Sequence, residues 1–202
     1  MSVRTTTTYY VVHEGQEFET THEPIEGSEK ITIKENKALV SYLVSDAAQC
    51  SWYFHDYECG RFITRDGRSL GERLGDEEIN ELFLAHPGRV FLINKYEHGL
   101  CRYYRQGDAQ TSASVPDQRW DVAHGSAVFV VPDDVPEPEK YCDSIMKNFT
   151  DWCNGDIYGV CHETYDLTEG KWVPDTEDSC WGYIGSENAE RERDEDHESR
   201  SQ

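Results

Sequence analysis

Arg89-Val90-Phe91-Leu92-Ile93-Asn94-Lys95-Tyr96-Glu97-His98-Gly99-Leu100-Cys101-Arg102-Tyr103-Tyr104-Arg105 reads as two strands turning at His98-Gly99. Both arms are rich in β-branched and aromatic residues, and a short glycine-containing break between two such runs is a hairpin signal. An antiparallel pair therefore sits in the middle of the chain, and the same texture recurs on either side. Tyr9–His13 is a short apolar run, Lys30–Lys34 alternates Ile31 and Ile33 with polar residues, and Ala38–Val44 continues the pattern. Ser126–Val131 is unbroken and apolar, as in a central strand buried on both faces. Asp156–Tyr165 and Lys171–Val173 flank Asp166–Gly170 as a second hairpin, and Ser179–Ile184 is a last aromatic strand. Seven or eight strands clustered in this way favour an α+β fold with a mainly antiparallel sheet over a doubly wound one.

Two helices punctuate the strands. Asp76 reads as an N-cap, with Glu77, Glu78 and Glu81 where the helix dipole favours acids. Ile79, Leu82 and Phe83 give helical spacing before His86-Pro87-Gly88 ends the segment. Over Glu139–Cys153, the residues Tyr141, Cys142, Ile145, Met146, Phe149, Trp152 and Cys153 recur at i, i+3/i+4. Asn154-Gly155 then supplies a C-cap. His22–Glu29, Gly107–Trp120 and Pro132–Pro138 read as loops, and Arg65–Arg68 as a turn. From Ser186 the composition collapses to Glu, Arg, Asp, Ser and His, so 186–202 reads as a disordered charged tail. The remaining 1–185 form one domain, with 1–88 as a subregion. The full 202 residues suit that size.

Forty acids against 19 bases give a net charge of −21. Self-repulsion at this level opposes folding, and solubility needs far less. Residues 1–131 carry a net −7 and residues 132–202 a net −14. Removing the tail acids and bases over Glu187–Arg200 still leaves −17. Contact with phosphates needs clustered Lys or Arg, and the chain has no basic run, which excludes direct binding to nucleic acid or to an anionic membrane. Glu outnumbers Asp and there are seven Cys, which argues against simple salt adaptation.

The cysteines stand at 50, 59, 101, 142, 153, 161 and 180, without framework spacing. The start, Met1-Ser2-Val3-Arg4-Thr5, leads into no long apolar run, so secretion is not expected and reduced thiols in a cytoplasm are. Cys50, His55 and Cys59 form one conceivable metal set, and Cys153, Cys161 and His162 another. Neither has the paired spacing of structural zinc, so no metal and no cofactor are assigned. Cys101 and the adjacent Cys161-His162 are the candidates for a nucleophile. Strand neighbours point to opposite faces, which argues against a Cys161–His162 dyad, and no catalytic residue is assigned. Gly67–Gly75 lacks the Gly-Lys-Ser/Thr ending of a phosphate loop. The aromatics of Trp52–Phe54, with Trp181 and Tyr183, read as core filling before they read as a stacking platform.

Tyr96-Glu97-His98-Gly99, Gly155-Asp156-Ile157-Tyr158-Gly159 and Asp178-Ser179-Cys180-Trp181-Gly182-Tyr183-Ile184-Gly185 carry a resemblance. The chain resembles a set of uncharacterised proteins of bacteriophages and related mobile elements. The resemblance spans about residues 89–186, with Trp120-Asp121, Gly125–Val131 and the Glu139–Gly155 helix in matching order. Ile184 replaces an aromatic that is usual there. The resemblance implies a small phage accessory protein, cytoplasmic in an infected host, and assigns no residue a role.

Charge and context together predict a protein that acts by contact. Carboxylates on a rigid surface stand in for phosphates, and long-range steering speeds association. The expected partner is a host protein with a basic nucleic-acid-binding surface, a defence protein among the options. The expected surface is Asp133, Asp134, Glu137, Glu139, Asp175, Glu177 and Asp178. The alternatives are a small metal-binding or nucleotide-metabolism enzyme, which needs a pocket with convergent polar groups, and an interaction protein that mimics nothing.

Overall fold

The computed structural model describes residues 7–46, 52–65, 71–116 and 119–202. In chain order the described elements are β1 (Tyr9–His13), β2 (Gln16–Thr20), β3 (Lys30–Lys34), β4 (Lys37–Ser45), α1 (Tyr53–Asp56), β5 (Arg61–Thr64), α2 (Asp76–Ala85), β6 (Val90–His98), β7 (Leu100–Arg105), α3 (Ala109–Ser114), β8 (Val122–Val130), α4 (Pro138–Cys153), β9 (Ile157–Thr168), β10 (Lys171–Ile184) and α5 (Ser186–Arg200). Two compact units result: 1–49 with 155–202, and 50–154.

In the first unit, β4 is buried from Ala38 to Val44 because both of its faces are covered. It lies inside the antiparallel sheet β10-β9-β4-β3. Ala38, Val40, Tyr42 and Val44 join Val11, Phe18, Cys161 and Tyr165 on one side, under the β1–β2 hairpin. Leu43 and Val160 face the other way and pack with Ala189 of α5. The layers are therefore hairpin, sheet and helix.

In the second unit, β8 is the central strand that its apolar run predicts, in the order β5-β8-β6-β7. Ile63, Val90, Val128 and Val130 pack beneath Ile79 of α2. Phe62, on the opposite face, stacks on Phe54 at 4.7 Å and meets Phe149 of α4 at 4.9 Å. Trp52, Tyr53 and Phe54 thus enter the core of this unit, with Phe149 touching all three. The hairpin at His98-Gly99 forms as read, with His98 opposite Leu100.

Three expectations are corrected. The α+β class holds, but the described residues form five helices and ten strands in three antiparallel sheets, not two helices and one mainly antiparallel sheet. The helices α1 and α3 have four and six residues, too few to show a period, and β2 has one apolar residue, Phe18. The tail 186–202 is not disordered, because Ser186–Arg200 is helical and buries Ala189, Arg193 and His197. Asp76 is the first helical residue of α2, and Gly75 is the N-cap, its N–H donating to Glu78 at 2.8 Å. Cys50, most of the Arg65–Arg68 turn and the start of Gly67–Gly75 lie outside the described residues.

Candidate functional site

The seven predicted acids fall in both units. Asp133, Asp134 and Glu137 lie on the connector before α4, and Glu139 lies in its first turn. Arg89 organises that connector by donating to the Pro132 and Val135 carbonyls at 2.7 and 3.0 Å. Asp133 lies 3.5 Å from His86 and 3.9 Å from Arg89, Glu137 pairs with Lys140 at 2.6 Å, and Glu139 with Arg105 at 3.6 Å. Asp134 is exposed. In the other unit, Asp175, Glu177 and Asp178 are exposed on β10, an edge strand. Glu177 lies 3.4 Å from His22, and Asp178 pairs with Arg200 at 2.6 Å. The hydrogen bond from Arg200 holds the Asp178 carboxyl below its ordinary range. Exposed pairs of this kind add little stability.

The acids that the sequence reading set aside as tail lie on a helix packed against the sheet. The side chains of Ala189, Arg193 and His197 recur every four residues and face the sheet. Glu187, Glu190, Glu195 and Glu198 are exposed. The three arginines of α5 are engaged. Arg193 donates to the Ser28 carbonyl at 2.5 Å and pairs with Asp194, which in turn pairs with Lys30 at 2.8 Å. Arg191 bonds Asn188 and Glu192, and Arg200 holds Asp178. A signal for this helix exists in the sequence: acids and arginines alternate in sign, the pattern of a salt-bridge-laced helix.

A chain of polar side chains fastens α5 at its centre. Ser41 Oγ lies 2.7 Å from Nδ1 of His162 on β9 and 2.7 Å from Nδ1 of His197 on α5. His197 Nε2 lies 2.8 Å from Thr32 Oγ1 on β3. His162 Nε2 is buried 3.5 Å from the Asp196 carboxylate, without hydrogen-bond geometry. Neutral imidazoles satisfy this chain. Thr32 donates to His197 Nε2, His197 Nδ1–H donates to Ser41, and Ser41 donates to His162 Nδ1. That order aims the His162 Nε2–H toward Asp196. A further proton on His162 would reverse this order, because its Nδ1–H would donate to Ser41 and Ser41 could then donate only to His197 Nδ1. Burial lowers the affinity of both histidines for protons, assisted by Arg200 at His162 and by Lys30 at His197.

The other sequence candidates are dispersed. Cys153 belongs to one unit, and Cys161 and His162 to the other. Cys161 enters the apolar cluster under the hairpin, while His162 faces α5. Among the described residues no group of three or more His, Cys, Asp or Glu is placed to hold a metal ion. Glu163 is buried but fully engaged, accepting from Tyr42 at 2.6 Å, Tyr165 at 2.5 Å and the Thr21 N–H at 2.9 Å. It ties the hairpin to the sheet. An open groove of about 560 Å³ runs beside β7, α3 and α4. Its cations Arg102 and Arg105 are bonded to Ser114 and Asp143, and Lys147 to Asp151.

Two of the three motifs that carry the phage resemblance, Gly155–Gly159 and Asp178–Gly185, pair with each other in the first unit. Tyr183 pairs with Tyr158 and Ile184 with Ile157, and the Gly185 N–H donates to the Asp156 carbonyl at 2.9 Å. Gly155, Gly182 and Gly185 have φ of 76°, 85° and 81°, where other residues are strained. Gly159 is required for space: a Cβ there would fall 2.4 Å from the Trp181 ring. A register shift between Cys180 and Tyr183 breaks strand alternation, so Cys180 and Trp181 are both exposed, and Trp181 does not fill the core as its sequence suggested. These motifs therefore have a packing rationale of their own. No described helix is long and apolar enough to cross a membrane. No family model, no curated protein and no solved structure matches the chain.

Proposed function

We propose that this protein acts by contact, as a phage-type accessory protein whose acidic surface occupies the basic nucleic-acid-binding site of a host protein in the cytoplasm. One observation carries the reading. Glu187, Glu190, Glu195 and Glu198 are exposed along a helix that the sheet holds in place, and the neighbouring arginines are already bonded. Those four positions extend roughly 16 Å along the axis at 1.5 Å per residue. Asp175 and Glu177 add charge on β10 of the same unit. A fixed row of carboxylates offers a basic groove what a phosphate backbone offers, without the ordering cost of a flexible tail.

The test is retention of proteins from a bacterial lysate on the immobilised chain, at low and at high salt. A companion chain carries Glu187→Gln, Glu190→Gln, Glu195→Gln and Glu198→Gln. The wild type should retain a nucleic-acid-binding protein at low salt. That protein should be released by salt, since exposed charges are screened over about 10 Å at 0.1 M, and by added nucleic acid, and the companion should not retain it. Failure to retain any such protein at low salt, or equal retention by the companion, rejects the proposal.

A further inference from the structure

The C-terminal end of α4 holds a pair of thiols that the acidic surfaces do not use. β7 and α4 are laced together at three levels. Arg105 binds both oxygens of Asp143, at 2.8 and 3.0 Å. The Tyr103 ring lies 4.6 Å from that of Phe149, and its N–H donates to Thr150 Oγ1 at 2.8 Å. At the last level Asn154 clasps Cys101, accepting its N–H at 2.9 Å and donating to its carbonyl at 2.8 Å. Positions 101, 103 and 105 share one face of the strand, so the lacing follows from strand and helix periods meeting. Cys153 precedes the clasping Asn154, and its thiol is in hydrogen-bonding contact with that of Cys101. Cys153 is exposed and Cys101 half-buried.

These thiols differ from the buried ones. Burial pushes Cys59 up to about 11 and Cys161 up to about 12, and raises Cys142 too. Cys101 is instead held below the ordinary thiol value, first by the hydrogen bond from Cys153 and then by the Lys95 ammonium. The same hydrogen bond holds Cys153 up. Lys95 is fixed by Glu97 at 2.7 Å. Cys101 therefore gives up its proton more readily than Cys153 and is the better placed of the two to react as a thiolate, the nucleophilic form.

We propose that Cys101 and Cys153 are a redox-reactive dithiol that closes into a reversible disulfide by exchange with oxidised glutathione, pinning the end of α4 to β7. The Cys101 thiolate attacks one sulfur of the glutathione disulfide, and that S–S bond breaks to release a glutathione thiolate. Cys153 gives its proton to a glutathione thiolate and attacks the Cys101 sulfur of the mixed disulfide. The second glutathione leaves as a thiolate and takes the proton that Cys101 had lost to solvent. Two protein thiols are oxidised by two electrons, and one glutathione disulfide is reduced to two thiols. This inference stands whether or not the acidic surface has a partner.

The experiment treats the folded, reduced protein with oxidised glutathione, alkylates the remaining thiols at intervals and maps the peptides by mass. Cys180, exposed on β10, is the internal reference. The expected result is a Cys101–Cys153 cross-link that forms before Cys180 is modified and reopens with reduced glutathione. Cys153→Ser should stop the reaction at a stable mixed disulfide on Cys101, and Cys101→Ser should slow modification of Cys153 severalfold. Lys95→Gln should move the reactivity of Cys101 to higher pH. The proposal is overturned if Cys180 reacts first, or if glutathione accumulates on Cys101 and Cys153 without a cross-link. The wild-type mapping alone decides this if a variant does not fold.

Discussion

The helices α4 and α5 do the same work by different physics. Each covers a sheet of its own unit. α4 does so with Cys142, Ile145, Met146 and Phe149, an apolar stripe. α5 does so with Ala189, Arg193 and His197, and its seam is built from hydrogen bonds and ion pairs. Apolar burial is non-directional and indifferent to pH. A polar seam must be satisfied atom by atom, and its worth depends on which groups carry protons. The difference teaches that a helix with almost no apolar face can still be an integral layer of a fold.

Phe149→Ala should give the largest effect. The ring is buried among Trp52, Tyr53, Phe54, Phe62 and Tyr103. Its loss should cost about 3–5 kcal/mol, read by urea denaturation followed through tryptophan fluorescence; a loss below about 1 kcal/mol would remove the apolar half of the comparison. Arg193→Ala comes next. It strands the Ser28 carbonyl and leaves the Asp194 carboxylate to Lys30 alone, so α5 should lose about 1–3 kcal/mol. Residue-resolved hydrogen exchange should show faster exchange in α5 and none of that change in α4. Unchanged α5 protection would mean that Ala189 and the helix backbone suffice.

The smallest effect is the one with pH. Folding depresses the proton affinity of His162 and His197, so below the ordinary histidine value of about 6.5 the unfolded chain binds more protons than the folded one. Their contribution is fully present above that value and is lost as pH falls through it toward the folded values. His162 faces Asp196, Asp178 and Arg200, and His197 faces Lys30, Asp194, Arg193 and Glu198. Protection of α5 should therefore decline with acidification. That of α4, which contains no histidine, should decline less over the same interval. Equal declines in both helices would reject the histidine seam as the cause.

This contrast also explains what the sequence could reveal. α4 and the His98-Gly99 hairpin were legible because apolar residues mark their periods. β4 and β8 were legible because both of their faces are covered, which demands apolar residues at every position. α5 was not, because charged side chains at its contact positions look like those of a solvated tail. The alternation of acids with arginines and the four-residue recurrence of Ala189, Arg193 and His197 separate the two. The acidic excess could be counted from the sequence, but its pairing could not. Glu177 meets His22 and Asp178 meets Arg200 only after the sheet and helix have assembled. Likewise, Cys101 and Cys153 become neighbours only through the Asn154 clasp.

The discontinuous unit has a consequence for how the chain is made. β4 pairs with β9, so Ser45 waits for Tyr158 to leave the ribosome. At roughly 5–20 residues per second that wait lasts roughly 6–23 seconds. Meanwhile Val40, Tyr42 and Leu43 lack the strand that will bury them. The unit of 50–154 can finish within that interval, and α5 arrives last to close the face it covers. A nascent chain therefore has all of residues 50–154 before it has the strand that covers Val40, Tyr42 and Leu43.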